Sequence, residues 1–269
     1  MAEEFTYFGG IDFSGAKEPL SNLWTALGHE EEDRLVIHSL RPHAFRADLA
    51  TFAREGWRAV IGAAESDRIL WGADFPFSLP AAAAAHLGGS SVNWPDLIAW
   101  VADRPADEVR NAVPDALRSP RATDTGGAIA PLDLRNYRQC VEGMRWLHQL
   151  REEIDLSVHP QAPHPEALVT LLEVYPYGTV VELGLPRRRA PSRPGEVRAR
   201  AAALRTFVRF SDPTHEAIAV NIEDAWDATI ACLTTWLARA DLDQPTRTTS
   251  LSPGQIAVEG WIYRPPVTV

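Results

Sequence analysis

Three apolar runs of this chain each end on a carboxylate at or beside a residue that breaks regular structure. The runs are Gly-Gly-Ile-Asp12-Phe, Leu-Trp-Gly-Ala-Asp74-Phe-Pro and Leu-Leu-Glu173-Val-Tyr-Pro. Strands that are apolar throughout are typical of parallel sheets buried on both faces, and parallel strands bring their carboxyl ends to one edge of the sheet. The chain is therefore predicted to contain a sheet with several acids along one edge.

The predicted elements follow the order strand, strand, strand, helix, strand, helix, strand, helix. The first three strands, over 5–13, 22–28 and 34–40, are joined by polar loops and are expected to form an antiparallel meander. Two later strands, over 69–75 and 168–175, are expected to run parallel beside the first. This is the order of the ribonuclease H (RNase H) fold, an α/β fold in which a meander and two parallel strands are flanked by helices.

Helical periodicity predicts helices over 45–57, 135–154, 194–210 and 222–239, and a short strand is expected within 256–263. Residues 81–135 are less regular, with an alanine run, two adjacent glycines and several prolines. We interpret them as a helical insertion packed over or beside the site. The whole chain, 1–269, is predicted to be a single domain.

The predicted last helix has two apolar stripes on opposite sides. One stripe consists of large residues (Trp226, Ile230, Leu233 and Leu237), and the other consists of small residues (Ala228, Ala231, Thr235 and Ala238). Small residues allow a helix to approach a sheet closely, so we expect the small stripe to face the sheet. Asp224 and Asp227 would then point toward the acidic edge.

Four aspartates, Asp12, Asp74, Asp224 and Asp227, are thus expected at one edge. Carboxylates this close repel one another unless a cation or a proton lies between them. Together with Glu173 at the end of the third run, this pattern predicts a site for Mg²⁺ or Mn²⁺. Glu173 is a further candidate catalytic residue, with pairing to a buried arginine as the alternative.

Composition restricts the partners and the location of the protein. A formal net charge of −10 argues against sequence-blind coating of duplex DNA. No apolar stretch approaches the length of a membrane span. The two cysteines, Cys140 and Cys232, lack metal-ligand spacing and are expected to be buried free thiols, which indicates a cytoplasmic protein.

Basic charge is concentrated in one segment. Residues 187–209 hold eight arginines and one acid, and Arg187, Arg188 and Arg189 are candidate contacts to a phosphate backbone. The alternative is a solvated helix face plus a loop. Lys17, the only lysine, lies in a turn five residues after Asp12 and is a second candidate phosphate contact.

Several motifs together resemble a known family. They are Gly-Ile-Asp12-Phe-Ser-Gly-Ala-Lys, Asp74-Phe-Pro-Phe-Ser-Leu-Pro, Arg121-Ala-Thr-Asp124, Leu-Glu173-Val-Tyr-Pro-Tyr, Glu-Asp224-Ala-Trp-Asp227-Ala and the closing Glu259-Gly-Trp-Ile-Tyr-Arg-Pro-Pro. The set resembles the domain-of-unknown-function family 429, described as predicted RNase H-like nucleases. The Asp-Ala-x-Asp-Ala helix is also similar to the last helix of RuvC-type resolvases, in which both acids belong to the metal site.

The resemblance implies hydrolysis of phosphodiester bonds in nucleic acid by two metal ions. Carried over residue by residue, it implies that Asp12 bridges the metals, that Asp74 is a second ligand and that Asp224 and Asp227 are ligands from the helix. Arg121 is a candidate substrate contact, with capping by Asp124 at a loop-to-helix transition as the alternative for this pair.

Two other functions remain open from the sequence. Actin-like ATPases and sugar kinases have a related sheet that also begins with a strand, an acid and a glycine-rich turn, which would make this chain a phosphotransfer enzyme. The other alternative is a nucleic-acid or nucleotide binder that retains the fold without catalysis.

Overall fold

A computed structural model describes residues 5–186, 194–245 and 251–266, and its strands form one mixed sheet. The strands are β1 (Tyr7–Asp12), β2 (Trp24–Glu31), β3 (Arg34–Pro42), β4 (Ile69–Asp74), β5 (Leu156–His159), β6 (Val169–Val174), β7 (Val208–Phe210) and β8 (Ile262–Tyr263). Their order across the sheet is β5-β6-β4-β1-β2-β3-β7, and β8 pairs with β6.

The helices lie between and after these strands. They are α1 (Arg46–Thr51), a π-helical turn (Phe52–Gly56), α2 (Trp57–Ile61), α3 (Ala81–Gly88), α4 (Trp94–Ala102), α5 (Ala106–Ala112), a 3₁₀ turn (Asp115–Leu117), α6 (Tyr137–Glu153), α7 (Pro176–Glu182), α8 (Pro194–Leu204), α9 (Pro213–Asn221), α10 (Glu223–Ala238) and α11 (Pro253–Glu259). No helix in the described part of the chain combines the length and apolar character needed to cross a membrane.

The predicted strand arrangement is confirmed. Strands β1, β2 and β3 pair antiparallel as a meander, β4 is parallel to β1 on its other side, and β6 is parallel to β4. The fold is thus a mixed α/β fold flanked by helices, consistent with an RNase H-like fold. Helices α3, α4 and α5 occupy the segment that was interpreted as a helical insertion.

Two apolar cores cover the two faces of the sheet. One includes α4 and α6 against β1 and β4, and the other is built largely on α10. Helix α10 lies so close to the sheet that a Cβ added at Gly10 would stand 2.2 Å from the carbonyl oxygen of Ala228. A Cβ at Gly72 would stand 2.0 Å from Oγ1 of Thr235. The expectation that the small stripe faces the sheet is therefore confirmed.

Three details of the predicted elements were wrong. The helix expected to reach Phe210 ends at Leu204, and Val208–Phe210 forms β7 beside β3. Pro194 marks the start of this helix, but it carries no signal for where the helix ends. The expected terminal strand is mostly helix α11, which begins after a Ser252 cap, and only Ile262–Tyr263 is strand. Strand β5, with four residues, was not predicted.

Candidate active site at the sheet edge

Asp12 and Asp74 lie side by side at the carboxyl ends of β1 and β4. They are direct register partners in the parallel pair, so their Cα atoms are about one strand spacing, roughly 4.8 Å, apart. Each strand ends at its aspartate, since the residues after it do not pair with a neighbouring strand. The sequence prediction that these two acids are neighbours is confirmed.

Helix α10 brings two more acids to the same edge. Ala228, the residue after Asp227, packs against Gly10, two residues before Asp12. The Sγ atom of Cys232 donates to the carbonyl oxygen of Phe8 at 3.3 Å one turn further along the helix. The first turns of α10 therefore lie at the carboxyl end of β1, where Asp224 and Asp227 are partly buried.

The pKa values of the two strand acids are both raised by their surroundings. Burial raises the pKa of Asp12 well above its usual value, and the charges of Asp227, Asp74, Asp224 and Glu223 raise it further. Burial also raises the pKa of Asp74, with further contributions from Asp227 and Glu173. The charged neighbours that shift these two groups are all acids. The edge therefore favours a bound proton or a cation.

Helix α6 approaches the same edge from the other face of the sheet. The side-chain amide of Gln139 donates from Nε2 to the carbonyl oxygen of Asp74 at 2.6 Å. A Cβ added at Gly15 would stand 2.3 Å from the backbone nitrogen of Gln139, so the loop after β1 touches the first turn of α6. The helix thus holds the ends of β1 and β4 together, and its positive N-terminal end lies near the acids.

Glu173, at the end of β6, has a different environment from the aspartates. Its Oε2 accepts from Nη1 of Arg121 at 2.8 Å and from the backbone nitrogen of Phe77 at 2.9 Å, and its Oε1 accepts from Nη2 of Arg121. Burial is the largest influence and leaves the pKa of Glu173 above its usual value, although Arg121 and the Phe77 amide act to lower it. Glu173 is thus a partner for a buried arginine, as the alternative had it, and its catalytic role stays a prediction.

Arg121 uses all five of its N–H donors inside the protein. Besides Glu173, it donates to Oδ1 of Asp124 from Nε at 3.1 Å and from Nη2 at 2.7 Å, and to the carbonyl oxygen of Glu259 from Nη1 at 3.0 Å. Its side chain is fully buried. These contacts leave no donor for a substrate, so the predicted substrate contact by Arg121 is replaced by a structural clamp.

The C-terminal segment completes this clamp. The carboxylate of Glu259 accepts from the backbone nitrogens of Ala81 at 2.8 Å and Ala122 at 2.9 Å. The hydroxyl of Thr123 accepts from the backbone nitrogen of Ile262 at 2.8 Å, at the start of β8. The segment that carries Arg121 is therefore held between the sheet and the end of the chain.

A cavity of about 150 Å³ lies beside Asp74, between the sheet edge and residues 121–139. Its lining includes Phe75, Pro76, Ile129, Asn136, Gln139 and Tyr175. Burial, followed by the charge of Asp74, raises the pKa of Tyr175 to about 12. Neither Gln139 nor Tyr175 was among the predicted site residues. The Tyr-Pro-Tyr motif after Glu173 was a usable signal for Tyr175, whereas nothing in the local sequence marked Gln139.

The residues predicted to contact phosphate lie in two different parts of the chain. Lys17 is exposed in the loop after β1, and Arg46 holds this loop by donating to the carbonyl oxygens of Ser14 at 2.9 Å and Ala16 at 2.6 Å. Arg187, Arg188 and Arg189 lie outside the described residues.

The later arginines of the basic segment mostly have protein partners. Arg200 is buried and donates to the carbonyl oxygen of Val220. Arg205 pairs with Glu216, and Arg209 pairs with Glu31. From Arg200 onward, the described part of the segment is therefore not a continuous, uncommitted basic surface.

The donor set at the edge has the chemistry of a magnesium or manganese site, because carboxylate oxygens are the ligands that hard cations prefer. The side chains are of the right type for a metal site, but they are not arranged as one. Within 5–186, 194–245 and 251–266, no three histidine, cysteine, aspartate or glutamate side chains form a group that could hold a metal ion. Asp12, Asp74, Asp224 and Asp227 fit such an ion by the chemistry of their side chains.

Comparison with known proteins identifies the family. Residues 10–247 match the model of a family described as "Protein of unknown function (DUF429)". The chain belongs to this family. No curated protein and no solved structure matches the chain. The resemblance seen in the motifs is thus confirmed at the level of the DUF429 family, whose description states no activity.

Proposed function

We propose that this DUF429 protein hydrolyses phosphodiester bonds in nucleic acid with the help of Mg²⁺ or Mn²⁺. The observation that carries the proposal is the pairing of Asp12 with Asp74 in register, next to the end of α10 that brings Asp224 and Asp227. Acids are costly when they are brought together in a partly buried place, and burial and mutual repulsion both act on this pair. A site that tolerates this cost is a candidate for function.

Asp12, Asp74, Asp224 and Asp227 would hold the metal, which when bound would activate water and stabilise the leaving oxygen. The protein contributes positioning. The close contacts of Gly10 and Gly72 with α10 set the height of the helix above the sheet. Gln139 fixes the end of β4 through the carbonyl oxygen of Asp74. Arg121 places a cation against Glu173, whose charge also raises the pKa of Asp74.

The test compares Asp12→Asn and Asp224→Asn with the parent protein on single-stranded DNA, branched DNA, RNA and RNA–DNA hybrids, with Mg²⁺ or Mn²⁺. We expect each substitution to reduce cleavage by roughly a thousandfold, because a bound metal supplies several kcal/mol and about 1.4 kcal/mol corresponds to tenfold in rate. Glu152→Gln, at the exposed far end of α6, is the matched control and should leave the rate unchanged.

Cleavage that is insensitive to both aspartate substitutions would contradict the proposal. Calorimetric titration with Mn²⁺ gives a second readout, because loss of Asp12 should weaken Mn²⁺ binding even if the tested polymer is the wrong one.

A non-catalytic nucleic-acid binder is the second candidate, and the absence of a ready-made metal group among the described residues favours it. Strand binding that survives Asp12→Asn, with no turnover by the parent, would identify this function. The phosphotransfer alternative gains no support from the fold, since all described strands belong to one sheet rather than to two repeated domains. The buried free thiols of Cys140 and Cys232 agree with the predicted cytoplasmic location, which stays part of this proposal.

A further inference from the structure

The cavity beside Asp74 has walls of mixed character. Tyr175 contributes an aromatic ring, and Phe75 and Ile129 contribute further apolar surface. Asn136 and Gln139 contribute amides whose N–H groups already donate to the carbonyl oxygens of Ile129 and Asp74. Their amide oxygens are therefore suited to accept hydrogen bonds from a ligand. A flat molecule with ring faces and N–H groups on its edge matches these walls.

The size of the cavity restricts this molecule to a small ring system. Its volume, about 150 Å³, is that of an apolar protein cavity known to accept a benzene molecule. The base of a nucleotide has this form, since each base has a π-face and an edge of donors and acceptors. A paired and stacked base cannot enter, because its faces and edge are already engaged in the duplex.

Aromatic surface continues from the cavity to the solvent. The ring of Tyr177 lies 5.9 Å from that of Tyr175, centroid to centroid, and both rings lie next to Gly127. Tyr175 donates its hydroxyl to the carbonyl oxygen of Gly127 at 3.0 Å, so its ring is held in place. Tyr177 is 44% exposed. An exposed tyrosine beside a fixed one offers a face on which a base can stack.

We infer that the cavity and Tyr177 together bind an unstacked nucleobase next to the phosphate that faces Asp74. The substrate is then single-stranded or locally unpaired nucleic acid rather than intact duplex. This inference rests on the proposed function of the neighbouring aspartates and adds the class of substrate to it.

The experiment measures binding apart from cleavage. Single-stranded oligonucleotides with 2-aminopurine at one position are titrated with Asp12→Asn protein, in which cutting is expected to be suppressed, and stacking on tyrosine is followed by fluorescence quenching. Adding Tyr177→Ala should weaken binding about 5- to 100-fold and remove the quenching, the range expected for loss of one stacked base. Tyr177→Phe should restore both.

Two controls separate stacking from general effects. Val181→Ala removes an equally exposed apolar side chain from the next turn of α7 and should change affinity less than twofold. An oligonucleotide series with one abasic position moved along the strand should contain a member that binds weakly and is insensitive to Tyr177→Ala. A duplex of the same sequence should bind more weakly than the single strand.

The outcomes distinguish this inference from the proposed function. If Tyr177→Ala and every abasic substitution leave binding unchanged while the parent still cleaves, the base site is wrong and the hydrolase proposal stands. If the Asp12→Asn protein binds no oligonucleotide, the base site is equally overturned, and cleavage by the parent alone then decides the proposed function.

Discussion

Acids at one edge of the sheet lie in two contrasting electrostatic environments. Glu173, on β6, is matched by Arg121 with bidentate geometry and by a backbone amide. Asp12 and Asp74, on the next two strands, have acids as the charged neighbours that shift their pKa values. Adjacent strands of one sheet thus carry one acid that is paired with a cation and two acids whose pKa values are raised by neighbouring acids. The difference teaches that position at the edge does not by itself make an acid functional.

The largest expected effect comes from breaking the pairing of Glu173 with Arg121. Arg121→Leu leaves Glu173 and Asp124 buried without their common cation, so the free energy of unfolding should fall by about 3–5 kcal/mol. The measurement is urea denaturation in EDTA. Arg135→Leu, which breaks the exposed surface pair with Asp133, is the control and should leave the denaturation midpoint nearly unchanged. Equal costs for the two variants would show that the clamp is no more important than a surface pair.

A smaller effect, of opposite sign on the two strands, comes from neutralising one acid in each environment. Glu173→Gln removes a partner from Arg121 and should lower the free energy of unfolding by about 2 kcal/mol. Asp74→Asn removes repulsion and should raise it by about 1 kcal/mol, as substitutions at functional sites often do. Both are measured in EDTA by the same denaturation midpoints. Destabilisation by both substitutions would erase the distinction between the two environments.

The most gradual effect is the dependence on pH. The folded-state pKa values of Asp12 and Asp74 are raised, so the folded protein binds more protons than the unfolded chain above about pH 4. Their contribution to stability is complete below the unfolded pKa and is lost as the pH rises through the folded pKa. Each group changes stability by at most about 1.4 kcal/mol per pH unit.

The double variant Asp12→Asn/Asp74→Asn lacks this loss of stability. Its advantage over the parent in free energy of unfolding should therefore widen as the pH rises from about 4 toward neutrality, in EDTA. A constant difference across this range would show that neither carboxyl group has a raised pKa.

The sequence was sufficient to predict the site residues that lie at the ends of strands. Asp12 and Asp74 each close an apolar run, and the parallel pairing follows from the order of elements, so their register could be anticipated. The small stripe of α10 was also visible, because helical periodicity identifies the face that fits against glycines. These signals are local and repeat with a fixed period.

The rest of the site depends on long-range contacts that have no such period. Arg121 and Glu173 are 52 residues apart, and their pairing depends on the path of the insertion. The contact of Gln139 with Asp74 depends on how the first turn of α6 meets the loop at Gly15. From sequence alone, an arginine partner for Glu173 could be anticipated, but not that the partner is Arg121.

The contacts of Glu259 and Ile262 with the segment that carries Arg121, which act as a latch, affect the order in which the protein folds during synthesis. Helix α11 and β8 follow every other described element along the chain, yet they hold the segment of Arg121 against the sheet. During translation, the meander and the strand ends bearing Asp12 and Asp74 emerge well before this latch. The pocket beside Asp74 therefore takes its final form only after the ribosome has released residues 253–263.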